Sequence, residues 1–189
     1  MNAWNAILMG CSAGGLTALQ HVLAELDPDI PQPILVCCHT GSADVALLCE
    51  LLARHSRLPV EEARERAPVR GGVVHVAPSG YHLLVEPTLR FALSVDDKVA
   101  YSRPSIDVMF ESATDAFQGH LVAVLMTGAN ADGAEGLAYV RRHHGYAVVQ
   151  DPASAEASAM PQAGLDIAGA DACVPLNAIA GTLNRLCLP

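Results

Sequence analysis

Short apolar runs alternate along the chain with segments in which apolar residues recur every three or four positions. The runs at 6–9, 34–38 and 121–126 contain no charged or hydroxylated residue, which is typical of parallel strands buried on both faces. The segment 15–26 between the first two runs has the spacing of an amphipathic helix. Strands that alternate with helices predict a three-layer α/β/α sandwich around a mostly parallel, doubly wound sheet.

The same patterns predict the remaining elements. They are strands at 59–63, 147–150 and 172–174, and helices after Ser42 as a candidate N-cap, at 105–117, ending near Gly145, at 160–168 and at 177–186. The middle of the chain differs, because the runs at 73–76, 82–85 and 89–95 are split by turn-forming Pro-Ser-Gly and Glu-Pro-Thr. We predict that these runs form an antiparallel hairpin insertion. Residues 1–189 are expected to form a single domain.

The first strand ends in a turn that carries a serine. Gly10, Ser12 and Gly14 have the G-x-S-x-G spacing of a nucleophile elbow, in which the hydroxyl stands above the carboxyl edge of a sheet. The helix that follows directs its N-terminal N–H groups at the same point, where negative charge could develop. The alternatives are a helix cap or a phosphate-binding loop, and Cys11 is a rival nucleophile.

Two further polar residues follow buried strands. His39 is the first after the run 34–38, and Asp132 lies in the loop after the run 121–126. If the first strand lies between these two, Ser12, His39 and Asp132 meet in one crevice. Ser12 would then attack a carbonyl, His39 would move the proton, and Asp132 would orient the imidazole. The open alternatives are a structural histidine, an Asp-Gly turn, and the rival acids Asp44, Asp107 and Asp151.

Charge and cysteine usage exclude several classes of protein. The formal net charge of −9 argues against binding of nucleic acid or of an anionic membrane surface. No apolar run approaches the length that spans a bilayer. The six cysteines form no C-x-x-C pair, so we expect reduced thiols, a cytoplasmic location, and neither a metal nor a cofactor.

The chain resembles the catalytic domain of the chemotaxis protein-glutamate methylesterases, the CheB family. The segments that carry the resemblance are GCSAGGL at 10–16, the strand ending at His39, VAPSGYH at 76–82, SRPSIDVMF at 102–110, TGANADG at 127–133, QDP at 150–152 and Met160-Pro161. The resemblance implies a parallel-sheet sandwich with a triad at Ser12, His39 and Asp132. It also implies hydrolysis of glutamyl methyl esters, and deamidation of some glutamines, on the cytoplasmic helices of chemoreceptors.

Further expectations concern the groups around the crevice, the partners and the departures from the family pattern. The backbone N–H groups of Ala13 and Ala129 are candidate oxyanion donors, and Arg103 is a candidate substrate contact at the crevice rim. The expected partners are methylated chemoreceptor cytoplasmic domains and a separate regulatory protein, because residues 1–189 contain no receiver domain. The chain departs from the family pattern at Ala129-Asn130, where Met-Gly is usual, and at Thr40-Gly41, where a proline-rich loop is usual. These departures motivate the alternative of a non-catalytic adaptor on the same fold.

Overall fold

The computed structural model describes residues 4–40 and 44–188. The strands within these residues are β1 (Ala6–Cys11), β2 (Ile34–Cys38), β3 (Val60–Glu62), β4 (Val74–Val76), β5 (His82–Val85), β6 (Phe91–Ser94), β7 (Leu121–Leu125), β8 (Tyr146–Gln150) and β9 (Ala172–Val174). The helices are α1 (Gly15–Glu25), α2 (Val45–Ala53), α3 (Ile106–Ala116), α4 (Ala134–Arg142), α5 (Ala159–Ile167) and α6 (Leu176–Cys187), with a 3₁₀ turn at Pro152–Ser154.

Seven strands form one parallel sheet in the order β3-β4-β2-β1-β7-β8-β9. Successive side chains of β1 point to opposite faces, so Ile7 and Met9 pack with α1, α2 and α6, whereas Ala6 and Leu8 pack with α3, α4 and α5. Both faces are therefore covered, as the continuous apolar runs require. The predicted three-layer, doubly wound architecture is confirmed.

The predicted hairpin insertion is confirmed only in part. β5 and β6 form an antiparallel pair, and this hairpin packs on α3 through Leu83 and Phe91. The prediction for 73–76 is wrong, because β4 lies in the parallel sheet between β2 and β3. Residues 63–73 cross from β3 to β4 without a helix, so the sequence lacks the helical spacing that normally indicates a parallel crossover.

Two predicted helix ends also differ. Ser42 lies outside the described residues, and the side chain of Asp44 caps α2 by accepting a hydrogen bond of 2.8 Å from the Ala46 N–H. The helix expected to end near Gly145 ends at Arg142.

The centre of the sheet positions the site. β1 lies between β2 and β7. After β1 and β2 the chain continues to one face of the sheet, and after β7 it continues to the other face. The carboxyl ends of the three strands are joined by backbone hydrogen bonds, from His39 N to Cys11 O at 3.1 Å and from Ser12 N to Thr127 O at 2.9 Å. The crevice at a topological switch point is where ligands bind in such sheets.

Candidate active site

The turn that carries Ser12 can form only because the residues around it are small. Gly14 has a φ of 77°, in the left-handed region that favours glycine. A methyl group at Gly10 would overlap the side chain of Ile106. Ser12 itself is partly exposed and lines a cavity of about 360 Å³ together with His39. Ser12 and His39 thus line one space, which is large enough for a whole side chain.

The turn is held by a buried threonine at the end of β7. Thr127 Oγ1 donates a hydrogen bond of 2.8 Å to the Ala13 carbonyl and accepts one of 2.9 Å from the Ala157 N–H. Its backbone carbonyl accepts from the Ser12 N–H, so one residue fixes the turn on both sides of Ser12. Thr127 is only 1% exposed, which means that its hydroxyl must be satisfied within the protein.

His39 and Asp132 form a direct pair. His39 Nε2 lies 2.7 Å from Asp132 Oδ2. With its Nε2–H donated to the carboxylate, the neutral imidazole keeps the lone pair on Nδ1. Ser102 Oγ lies 3.4 Å from that Nδ1. Nδ1 is therefore the nitrogen available to accept a proton.

The Asp132 carboxylate is fully buried and accepts four hydrogen bonds. Besides His39, the donors are Ser105 Oγ at 2.8 Å, Ile106 N at 2.7 Å and Asp107 N at 3.1 Å. Two of these are N-terminal N–H groups of α3, which lack partners within the helix. Burial alone would raise the pKa of Asp132, but the hydrogen bonds from His39 and from the start of α3 outweigh it and lower the pKa. Asp132 therefore stays charged and can orient the imidazole.

Asp107, in the first turn of α3, caps the neighbouring helix α4 in the same way. Its Oδ1 accepts hydrogen bonds from Gly133 N at 2.9 Å and Gly136 N at 2.6 Å, so it caps α4 while Asp132 caps α3. Burial raises the pKa of Asp107 to about 7, opposed by the Gly136 hydrogen bond and reinforced by the charge of Asp132. The two carboxylates tie together the two helix N-termini beneath the crevice.

His82 connects the hairpin to the same helix start. It is 1% exposed, its Nδ1 accepts a hydrogen bond of 3.2 Å from Ser105 N, and its Nε2 lies 3.0 Å from the Asp97 carbonyl oxygen. The ring thus fixes Ser105, which in turn holds Asp132. Sequence reasoning missed the supporting roles of Ser102, Ser105, Thr127 and His82. The available signal was polar residues inside otherwise apolar segments next to the predicted site.

The remaining predicted site residues lie around the crevice. The N–H groups of Ala13 and Ala129 have no acceptor among residues 4–40 and 44–188, and both residues are exposed. Arg103 lines a cavity of about 200 Å³ with His39, while its Nη1 donates to the carbonyl oxygens of Val95 and Asp96 at 2.7 and 3.0 Å. Gly41 lies outside the described residues.

The rival residues take other places. Asp44 caps α2 and lines the cavity of about 360 Å³ beside Ser12. The side chain of Asp151 caps the 3₁₀ turn. Cys11 is fully buried beneath the turn. Across the described ranges, no three His, Cys, Asp or Glu side chains are grouped closely enough to hold a metal ion. The helices in those ranges also include none long and apolar enough to cross a membrane.

A doubly wound sheet with a serine turn at its switch point, beside a histidine paired with a buried aspartate, is typical of α/β enzymes that use a serine nucleophile. The chain belongs to the CheB methylesterase family, whose model matches residues 7–183. The crystal structure of the Thermotoga maritima CheB methylesterase catalytic domain superimposes with a TM-score of 0.93 at 27% identity, covering 97% of this chain and 98% of that one.

Two curated relatives give the same family. A protein of Symbiobacterium thermophilum, named protein-glutamate methylesterase/protein-glutamine glutaminase, is 36% identical over 179 residues, which cover 95% of this chain and 49% of the relative. A protein of Leptospira interrogans with the same name in provisional form is 38% identical over 183 residues, covering 97% of this chain and 95% of the relative.

Proposed function

We propose that the chain is a serine hydrolase that removes methyl groups from glutamate methyl esters on the cytoplasmic helices of chemoreceptors. The observation that carries this proposal is the placing of Ser12 and the Asp132-bound His39 around one cavity of about 360 Å³. The names of the relatives supply the substrate class, a protein glutamate ester.

The geometry supports a two-step acyl transfer. Ser12 Oγ attacks the ester carbonyl, and His39 Nδ1 accepts the hydroxyl proton and returns it to the departing methoxide, which leaves as methanol. Water then attacks the acyl-enzyme, again giving a proton to His39, and releases the glutamate and Ser12. Asp132 stabilises the imidazolium that forms in each step. The N–H groups of Ala13 and Ala129, which have no acceptor within the described parts of the chain, are the proposed oxyanion donors.

Deamidation of glutamine is a second activity of the same site. An amide carbonyl would form the same acyl-enzyme, with ammonia in place of methanol as the leaving group. The glutaminase part of the relatives' names supports this activity.

The proposed setting is the cytoplasm, where the receptor helices lie, with control by a separate regulatory protein. Residues 1–189 would act as a single catalytic domain. Because the net charge is −9, recognition of an acidic receptor helix should depend on local contacts. Arg103 and Lys98, which line the cavity of about 200 Å³ beside His39, are the proposed contacts.

The test is methanol release from methylated receptor cytoplasmic fragments. The same fragments carrying glutamate in place of the methyl ester serve as the matched blank. Methanol release that follows the number of methylated sites would support the proposal. Binding to the fragments without methanol release would favour the adaptor function, and the Ala129-Asn130 segment would then be the first to exchange for Met-Gly.

A further inference from the structure

The two most exposed large apolar side chains among the described residues lie in one loop beside the proposed base. Tyr101 is 94% exposed and Val95 is 68% exposed, whereas the next, Leu47, is 52% exposed. We call residues 95–101, which follow β6, the rim loop. Almost none of the Tyr101 ring packs against the fold, so the ring contributes little to stability through burial. Exposed apolar side chains that are grouped in this way mark interaction surfaces.

Tyr101 occupies a tight turn whose backbone its sequence does not favour. Val99 and Ser102 exchange backbone hydrogen bonds of 3.1 and 2.8 Å. Between them, Ala100 has a φ of 47° and Tyr101 has a φ of 65°. Positive φ at both central positions is the requirement of a type I′ turn, for which Asn-Gly is a preferred pair. A bulky side chain there is strained, and strain of this kind is concentrated at functional sites.

The start of the rim loop is fixed to the body of the protein. Arg103 Nη1 donates hydrogen bonds of 2.7 and 3.0 Å to the carbonyl oxygens of Val95 and Asp96. The Nε2 of the buried His82 lies 3.0 Å from the Asp97 carbonyl oxygen. Neither aspartate is among the described residues that line the cavity of about 200 Å³ beside the base. The loop therefore has anchored backbone on the side away from its turn.

The end of the rim loop reaches the base itself. Ser102, directly after Tyr101, has its Oγ 3.4 Å from His39 Nδ1, the nitrogen that would accept the proton. Tyr101 and His39 also line the same cavity of about 200 Å³. The ring is thus held at a fixed place next to the chemistry, and a partner that packs on it pays little to order the loop.

Charge differs between the two cavities that meet at the base. Lys98 and Arg103 line the cavity beside Tyr101, and the described part of its lining contains no carboxylate. Asp44 and Glu156 line the cavity of about 360 Å³ on the other side. Because the chain carries a net charge of −9, the rim loop is the side of the base that favours an anionic partner.

We propose that the rim loop is the surface on which the substrate helix docks, with Tyr101 as its apolar anchor. The partner is the acidic, amphipathic chemoreceptor helix that carries the methyl ester. The Tyr101 ring packs on the apolar face of this helix, and Lys98 pairs with one of its carboxylates. Docking holds the ester at Ser12, so the hydrolase selects a receptor helix over a free glutamate ester. This inference rests on the proposed function, because it assigns the partner of the same site.

Kinetics on two substrates test the anchor. One substrate is the methylated receptor fragment, and the other is a blocked glutamate γ-methyl ester that has no helix. We expect Tyr101→Ala to lower the ratio of kcat/KM for the fragment to kcat/KM for the small ester about tenfold, mainly through KM for the fragment. Tyr101→Phe keeps the ring and should hold the ratio within about twofold. Ile167→Ala, at an exposed apolar residue that lines a different cavity, is the control and should not change the ratio.

A double variant separates the ring from the turn. Ala100→Asn combined with Tyr101→Gly supplies the Asn-Gly pair that the type I′ turn prefers, so the turn should persist without the ring. The ratio should then fall as it does in Tyr101→Ala, with no loss in the thermal midpoint. A ratio that stays at the value of the unchanged protein would overturn the role of the ring.

Binding measured without turnover separates this inference from the proposed function. In a Ser12→Ala background, Tyr101→Ala should raise the Kd for the methylated fragment about tenfold. Lys98→Gln should raise it about threefold at low ionic strength and less at high ionic strength.

The possible outcomes distinguish the two proposals. If the unchanged protein releases no methanol but Tyr101→Ala still weakens binding of the fragment, the proposed function is wrong and the docking surface is supported. If methanol is released but Tyr101→Ala alters neither the ratio nor the Kd, the docking surface is wrong and the proposed function is unaffected. A dimer that Tyr101→Ala converts to a monomer, with unaltered binding of the fragment, would overturn the proposal in favour of a second copy of the chain.

Discussion

The two halves of the proposed site are held in different ways. On the acid half, the Asp132 carboxylate is fully buried and accepts four hydrogen bonds, two of them from the start of α3. On the nucleophile half, Ser12 is partly exposed, and the hydrogen bonds that fix its turn involve its backbone and that of Ala13. Among residues 4–40 and 44–188, no side-chain hydrogen bond involves the Ser12 hydroxyl.

Because of this difference, substitutions in the two halves should affect the free energy of unfolding and the catalytic activity differently. A buried charge needs donors that are already in place, so the acid half must be built into the folded core. A nucleophile must remain accessible to its substrate, so only its backbone is fixed. Substitutions on the acid half should therefore reduce both the free energy of unfolding and the activity, whereas loss of the Ser12 hydroxyl should reduce activity alone.

Ser12→Ala should give the largest loss of activity. Removal of the nucleophile is expected to lower kcat by about 10⁶-fold, which is the loss found for a serine protease that lacks its nucleophile. The thermal midpoint should stay within about 1 °C, because the hydroxyl makes no described hydrogen bond. Methanol release and calorimetry measure the two quantities. A melting temperature that fell with the activity would contradict the separation of the two halves.

Asp132→Asn should reduce both quantities. The amide nitrogen must replace either Oδ2, which accepts from His39 and Ile106 N, or Oδ1, which accepts from Ser105 Oγ and Asp107 N, so an N–H group at the start of α3 loses its acceptor in either orientation. We expect kcat to fall by about 10⁴-fold through loss of the imidazole orientation. The free energy of unfolding should fall by about 1–3 kcal/mol. Asp44→Asn is the control for charge alone, because Asp44 lines the cavity beside Ser12 and His39 but lies outside the His-Asp pair.

The centre of the sheet, and the placing of Ser12 and His39 at the ends of neighbouring strands, could be predicted from the sequence. The runs of β1, β2 and β7 are continuous and apolar, so each strand end was visible as the first polar residue or turn. The first polar residues were Ser12 and His39, and the parallel order around β1 placed them together. The strand β4 was mispredicted because turn-forming residues surround it and no helix precedes it.

The supporting residues could not be predicted, because their partners lie far away along the chain. Ser105 reads as an ordinary helix cap, and it does accept from Val108 N at 3.4 Å. Its hydroxyl also donates to Asp132, which is 27 positions away along the chain. This second hydrogen bond depends on how α3 packs against α4. The reciprocal capping by Asp107 and Asp132 is likewise a property of two helix starts brought side by side, which no local pattern records.

Thr127→Val should have a smaller effect on the nucleophile half. The valine keeps the shape of the side chain but leaves the Ala157 N–H without its acceptor and frees the Ala13 carbonyl. We expect a loss of about 1–3 kcal/mol in the free energy of unfolding. We also expect a fall of about tenfold in kcat, because the Ser12 turn is less well positioned. Thr127→Ser, which keeps the hydroxyl, should restore most of both; failure to do so would assign the effect to packing.

Asp107→Asn should change the pH dependence of stability rather than the arrangement of the site, and the sign of that change shows whether Asp107 is protonated beside Asp132. The folded pKa of about 7 lies above the value of about 3.9 for an unfolded aspartate. Between these values the folded protein binds more protons, so this group's contribution to stability is full below about pH 4 and is lost as the pH rises through about 7. The asparagine can still accept from Gly133 and Gly136 but does not ionise. The free energy of unfolding, measured by denaturation at about pH 5 and about pH 8, should therefore decline less for Asp107→Asn than for the unchanged protein.

The control is Asp96→Asn, an exposed position, which should leave this decline unaltered. An equal decline in Asp107→Asn would mean that Asp107 is charged throughout, and that the helix N-termini rather than a proton compensate for its proximity to Asp132.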